Sequence, residues 1–214
     1  MQTEAPIPLW KEQLADGLDA MGIALSDKQQ QKALDYLALL LKWNKAFNLT
    51  AIRDPQQMVE RQLLDSYSIL GLIKGKTVLD VGTGPGLPGI PLAIALPDVR
   101  FTLLDSNGKK TRFVQQSVHE LGLANVEVVR GRVEEFRPEY PFDTVTARAF
   151  APLPRMEQLT ARLIADGGQL LAMKGTVPED EIRAVEQSGY AIQVEKLYVP
   201  ETDGQRHAIR LQRL

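Results

Sequence analysis

The run Thr77 to Ile90 reads T-V-L-D-V-G-T-G-P-G-L-P-G-I, an apolar strand that ends in an acid and opens into closely spaced glycines. Strand, turn and helix follow within one short segment, and glycine lets a backbone pass close to a ligand there without a Cβ in the way. The segment reads as a cofactor cradle. Gly84, Gly86 and Gly89 also satisfy the G-x-G-x-x-G spacing of dinucleotide folds, with Asp105 near the ~20-residue offset of a ribose-binding acid. Two classes of ligand therefore compete for one pattern.

The prolines separate them. A dinucleotide places its pyrophosphate on free N–H groups at a helix N-terminus, whereas Pro85, Pro88 and Pro91 remove donors from this loop and the turn that follows. Asp80, closing the strand, repels a diphosphate and favours a cationic sulfonium or ammonium group. The charge pattern points to S-adenosylmethionine, which carries no phosphate.

With 214 residues, 44% of them hydrophobic, the chain can build one globular unit with an appendage. It has no cysteine, so disulfides, thiolate metal sites and cysteine nucleophiles are excluded, and no metal site is expected. Base C5-methylation, which proceeds by covalent nucleophilic attack on the ring, is excluded with them. Met1 to Leu14 contains Glu4 and Glu12 and lacks the basic flank and apolar core of a secretory signal. The most apolar stretch, Ile90 to Leu96, falls far short of the ~20 residues that span a bilayer. A cytoplasmic monomer with no membrane role is expected. A net charge of −2 gives no global argument for nucleic-acid binding, so such a role must rest on a local patch.

The first third reads as helical. Leu14, Leu18 and Met21 recur at helical spacing, as do Leu34, Leu37, Leu40 and Leu41 after Ser26, an N-cap followed by Asp27. A third helix is expected over Pro55 to Leu70, capped by Asp54, with Met58, Val59, Leu63, Leu64 and Tyr67 facing inward. From Thr77 strands and helices alternate: strands over Thr77–Val81, Arg100–Asp105, Val126–Arg130, Phe142–Ala147 and Gln169–Met173, with helices between them. A helix over Pro178 to Ser188 follows, and the runs Ala191–Val199 and His207–Leu211 form a terminal antiparallel hairpin. The fold expected is α/β: a Rossmann-like, mostly parallel seven-stranded sheet of the class I S-adenosylmethionine-dependent methyltransferase type. Residues 1–70 form an N-terminal helical extension and residues 71–214 the Rossmann-like domain.

In such a sheet the ligand lies over the carboxyl ends of the strands. After the first strand come Asp80, Gly82, Gly84 and Gly86, where Asp80 is either a cofactor partner or a turn-capping acid. After the second comes Asp105, an acceptor for ribose hydroxyls or a helix cap. After the third come Val133 and Glu134, a backbone donor and a side-chain acceptor that suit the edge of adenine, or an acidic surface loop. Arg148, after the fourth, is the candidate positioning residue where substrate and donor meet, with a surface arginine as the alternative. The D/N-P-P-Y/F motif of amino-group methyltransferases is absent from Thr146 to Pro152, and neither His119, mid-helix, nor His207, opening the last strand, reads as a base. An acceptor needing no deprotonation, such as the guanine N7 lone pair, fits this set. Phe150 suits stacking on a base or packing under the next helix. Lys174, ending the fifth strand, suits a phosphate or a loop carboxylate, and Arg53 and Arg61 belong to the basic residues that could border an RNA site.

Together Trp43-Asn44-Lys45, Asn48-Leu49-Thr50, Leu64-Asp65-Ser66, the string Asp80 to Pro91, Leu104-Asp105-Ser106, Arg132-Val133-Glu134-Glu135, Arg148-Ala149-Phe150 and Lys174-Gly175 resemble the RsmG (GidB) family of bacterial small-subunit rRNA methyltransferases. The resemblance spans nearly the whole chain. It implies S-adenosylmethionine-dependent N7-methylation of guanine 527 in the 530 loop of 16S rRNA, with the small ribosomal subunit as partner. It also places cofactor contacts at Gly82, Leu87, Val133, Glu134 and Arg148. One departure stands out: relatives usually have R-H-x-L-D-S where this chain has Arg61-Gln62-Leu63-Leu64-Asp65-Ser66, so a proton-transfer role at Gln62 is not available.

Overall fold

The structure, a computed structural model, describes residues 5–202 and 204–213; Met1 to Glu4, part of the stretch read for a signal, lie outside them. Helices α1 (Ile7–Ala20) and α2 (Asp27–Phe47) open the chain. Ser26 caps α2 through a reciprocal pair: the Gln29 N–H donates to Ser26 Oγ and the Ser26 N–H donates to Gln29 Oε1. Leu14, Leu18, Leu34, Leu37, Leu40 and Leu41 are buried as their spacing requires, while Met21 falls just past the end of α1, half-buried.

The third helix does not form as one element. Residues 55–72 comprise a 3-10 turn (Pro55–Gln57), a π-helical stretch (Val59–Leu64), a single α turn α3 (Asp65–Tyr67) and a second 3-10 turn (Leu70–Leu72). Asp54 does cap the start, its Oδ1 accepting the Gln56 N–H at 3.0 Å. The five apolar residues expected to face inward are all buried, but so are Gln62, Asp65 and Ser66. Residues 62–67 are buried at every position, so this stretch has no amphipathic stripe to impose a 3.6-residue repeat, and wide π turns recur at functional sites.

The sheet contains β1 (Thr77–Val81), β2 (Arg100–Asp105), β3 (Val126–Arg130), β4 (Phe142–Arg148), β5 (Ile164–Lys174), β6 (Tyr190–Lys196) and β7 (His207–Arg213), in the order β3-β2-β1-β4-β5-β7-β6. The first five pair in parallel, and β7 runs antiparallel to both β5 and β6. Strand β5 begins earlier than its apolar run and β6 ends earlier, leaving 197–206 as the connection into β7.

Alternation along the strands sorts side chains to two faces. Val78, Phe101, Leu103, Leu171 and Met173 join α1, α2, α4 (Gly89–Ala95) and α5 (Gly108–Leu121) in one core. Leu79, Val81, Leu104, Leu170 and Ala172 pack on α6 (Leu153–Thr160) and α7 (Glu179–Glu186) on the other side. The N-terminal helices thus share a continuous core with the sheet. Among the described residues no helix is long and apolar enough to cross a membrane.

Candidate active site

The glycine loop is built around Asp80. Its carboxylate, fully buried at the end of β1, accepts from Thr83 Oγ1 (2.6 Å), Thr146 Oγ1 (3.2 Å) and the Gly89 N–H (3.0 Å). Burial pushes this carboxyl up to about 6, against the downward pull of those three hydrogen bonds and of Arg148. Gly89 is required because a Cβ there would lie 2.2 Å from Leu103 Cδ2 and 2.8 Å from Asp80 Oδ2. The remaining loop N–H groups are also engaged: Gly82 and Thr83 donate to Leu104 O, Gly84 to Asp105 Oδ2, Gly86 and Leu87 to Thr83 O, and Ile90 to Gly86 O. Pro85 and Pro88 have no N–H, so a diphosphate would find no free donor between residues 82 and 90. From the helical side, the buried Tyr36 hydroxyl donates to Pro85 O at 2.9 Å.

A cavity of about 340 Å³ opens beside this loop, lined by Gly82, Asp105, Lys110, Arg132, Val133, Glu134, Ala149 and Phe150, among others. Gly82 has φ +67°, and a Cβ on it would come 2.6 Å from Phe150 Cδ2, so only glycine lets the ring close against the loop. Asp105 steadies the turn by accepting the Gly84 N–H at 2.9 Å and the Asn107 N–H at 2.7 Å, which leaves lone pairs for a ligand. It is not the cap of α5; Asn107 fills that role. Among the described residues the Val133 N–H has no partner, and its carbonyl accepts from Arg162 at 2.6 Å.

A second cavity, of about 440 Å³, lies over the ends of β4, β5 and β7. Its lining carries Arg61, Arg148, Lys174 and Arg206, with Asp65 the one carboxylate. Asp65 receives Arg148 Nη1 at 2.8 Å on one oxygen and Arg206 Nε at 3.0 Å on the other. Arg148 also donates to Gln62 Oε1 at 3.3 Å, and Gln62 donates to Thr50 Oγ1 at 2.9 Å. The two cavities meet at Ala149, which lines both and holds φ +51°. That left-handed conformation is strained for alanine, and it sends Arg148 to one cavity and Phe150 to the other.

Of the expected cofactor residues, Gly82, Asp105, Val133 and Glu134 line the first cavity. Asp80, Gly84, Gly86 and Leu87 do not: they shape the loop from within, because Asp80 is the acceptor that folds it and Leu87 belongs to the core. Arg148 lies in the second cavity, drawn there by Asp65. Phe150, expected either at a base or under the next helix, lines the first cavity and packs against the core that includes Leu153 and Met156 of α6. Lys174 takes the alternative course, its ammonium held by Ala151 O (3.1 Å) and Glu181 (3.2 Å) because α7 brings that acid over the end of β5. Arg61 lines the second cavity, whereas Arg53 lines neither and donates to Asn48 Oδ1 at 3.1 Å. Sequence reading did not single out Tyr36 or Arg206 and discounted His207, which lines the second cavity.

A glycine loop and strand-end acids over a seven-stranded sheet with a terminal antiparallel hairpin define a class I methyltransferase. Solved structures agree on the fold: a glycopeptide N-methyltransferase complexed with S-adenosylmethionine aligns with a TM-score of 0.60 at 10% identity, covering 72% of this chain and 87% of that one. A Klebsiella pneumoniae protein described as a putative O-methyltransferase aligns at 0.58 and 14% identity, covering 97% and 99%. The chain belongs to the GidB family, rRNA small subunit methyltransferase G, whose pattern matches residues 29–209. It is 54% identical over 202 residues to the ribosomal RNA small subunit methyltransferase G of Marinobacter nauticus, covering 94% of each chain. To the protein of the same description from Alteromonas mediterranea it is 50% identical over 200 residues, covering 94% and 95%.

Proposed function

We propose that this chain transfers the methyl group of S-adenosylmethionine to N7 of a guanine in 16S rRNA, position 527 in the 530 loop of the small ribosomal subunit. The carrying observation is the pair of cavities that meet at Ala149, one beside a glycine loop with no free phosphate donors and one rich in guanidinium groups. The names of the relatives support ribosomal RNA as the substrate.

The first cavity fits the cofactor. Asp105 has acceptors for ribose hydroxyls, the Val133 N–H and Glu134 suit adenine, and Lys110 and Arg132 are the cations of the lining available to the methionine carboxylate. When bound, the cofactor supplies an electrophilic methyl: the N7 lone pair forms the new C–N bond while the C–S electron pair returns to sulfur. No proton leaves the guanine, so the chain needs no general base and no nucleophile. This agrees with the missing cysteine and the missing amino-methylation motif. A guanidinium bound to N7 would block the nucleophile, and the grip of Asp65 and Gln62 on Arg148 keeps that group from it. Arg61, Arg148 and Arg206 are suited to backbone phosphates through charge-assisted bonds. What remains for catalysis is alignment and exclusion of water.

Mass spectrometry of 16S rRNA from cells lacking the protein tests this. The 7-methylguanosine at that one site should vanish and return on complementation; an unchanged level overturns the proposal.

A further inference from the structure

We propose that His207 is the specificity-determining residue of the second cavity, its Nε2 accepting a hydrogen bond from the 2-amino group of the target guanine. The assignment rests on the guanine function proposed above.

His207 Nδ1 lies 2.8 Å from the carbonyl oxygen of Gly175. A carbonyl only accepts, so Nδ1 carries the proton, and in the neutral ring Nε2 is an acceptor. The residue is 7% exposed, lines the cavity, and among the described residues its Nε2 has no partner. The other side-chain oxygens of that cavity each already take at least one hydrogen bond from the protein. Thr50 Oγ1 receives Gln62 and the Ile52 N–H, Gln62 Oε1 receives Arg148, and both oxygens of Asp65 receive guanidinium groups. The surrounding arginines and Lys174 only donate. Among these described side-chain acceptors, His207 Nε2 is the one with no partner within the protein.

Strand register supplies the span. Arg148 on β4 is aligned with Met173 on β5, and Lys174 on β5 with His207 on β7. From Ala149, where the cavities meet, to His207 is about two strand spacings, about 10 Å, the length of a purine with a hydrogen bond at its far end. With N7 turned to the junction, the opposite edge of the base turns to His207. Guanine carries its 2-amino donor there; adenine carries only C–H, which would leave a buried acceptor unpaired. Methylation places positive charge on the purine, and a hydrogen-bond acceptor at the amine stabilises that charge.

The test compares small subunits reconstituted with guanine or with inosine, which lacks the 2-amino group, at the target position. His207→Asn places an amide N–H near Nδ1, so the Gly175 contact survives while the Nε2 acceptor is lost; His207→Gln places an acceptor near Nε2. The wild type should favour guanine over inosine by about tenfold or more in kcat/KM. H207N should lose that preference by falling on guanine alone, and H207Q should recover part of it. Affinity for S-adenosylhomocysteine, read by calorimetry, should be unchanged in both variants. Equal rates of the wild type on guanine and inosine, or an H207N variant as selective as the wild type, would overturn the assignment. So would a parallel loss of cofactor affinity, which would mark a structural role. Failure of the wild type on guanine-containing subunits would instead remove the function on which it rests.

Discussion

At the scale of single residues, Asp80 and Tyr36 act on the cofactor loop without lining its cavity. The Asp80 carboxyl has a folded value of about 6 against 3.8 for a free carboxyl, so the native state holds this proton more tightly than the unfolded chain does. Its contribution to stability is complete below about pH 4 and is lost as pH rises through about 6, a difference of about 3 kcal/mol. Asp80→Asn removes the titration. Urea midpoints of the wild type should therefore fall relative to D80N between about pH 4 and pH 7, and parallel curves would count against the buried carboxyl. Tyr36→Phe leaves the Pro85 carbonyl without its donor. We expect a loss of about 1–2 kcal/mol in unfolding free energy, with weaker S-adenosylhomocysteine binding by calorimetry, since the loop loses its brace from α2. For Asp80 the sequence offered two roles, cofactor partner or turn-capping acid, and the structure takes the second; the partners themselves were not legible. Sequence shows that an acid ends a strand; it does not show that Thr83, Thr146 and Gly89 converge on it.

At the scale of elements, the strands from β1 to β4 were legible almost to the residue, because apolar runs bounded by Gly, Pro and Asp have few other ways to fold. In the segment 55–72 the inward-facing apolar residues were legible but the break into separate turns was not, because 62–67 are buried at every position and periodicity carries no information there. Yet this segment supplies Arg61, Gln62 and Asp65 to the second cavity. His207 and Arg206 were hidden for a different reason. In a parallel sheet the ligand side is the C-terminal end of each strand, but β7 is antiparallel to β5, so its first residue lies on that side. The hairpin read from the sequence already implied this placement. Asp65 ties the π-helical segment to the ends of β4 and β7 through Arg148 and Arg206. Asp65→Asn should cost about 1–3 kcal/mol of stability by leaving two guanidinium groups under-paired. It should also lower methyl transfer to small subunits while cofactor affinity stays as it was. Denaturant unfolding and paired binding and transfer assays check both, and wild-type transfer in D65N would show that the tie does not position Arg148.

At the scale of the whole molecule, the N-terminal helices and one face of the sheet share a single hydrophobic cluster. Trp10, Leu14, Tyr36, Leu37 and Leu40 pack in the same cluster as Val78, Phe101 and Leu171. Removing residues 1–54 would expose that sheet face, so the truncated chain should lose near-UV circular dichroism and bind hydrophobic dyes, the signature of lost packing. A native-like spectrum with one sharp transition would show that the remainder folds alone. The boundary between the two cavities has a pharmacological consequence. Because Ala149 lines both cavities, a compound joining an adenosine-like head to a purine would have its linker pass this residue. Each half would raise the effective concentration of the other.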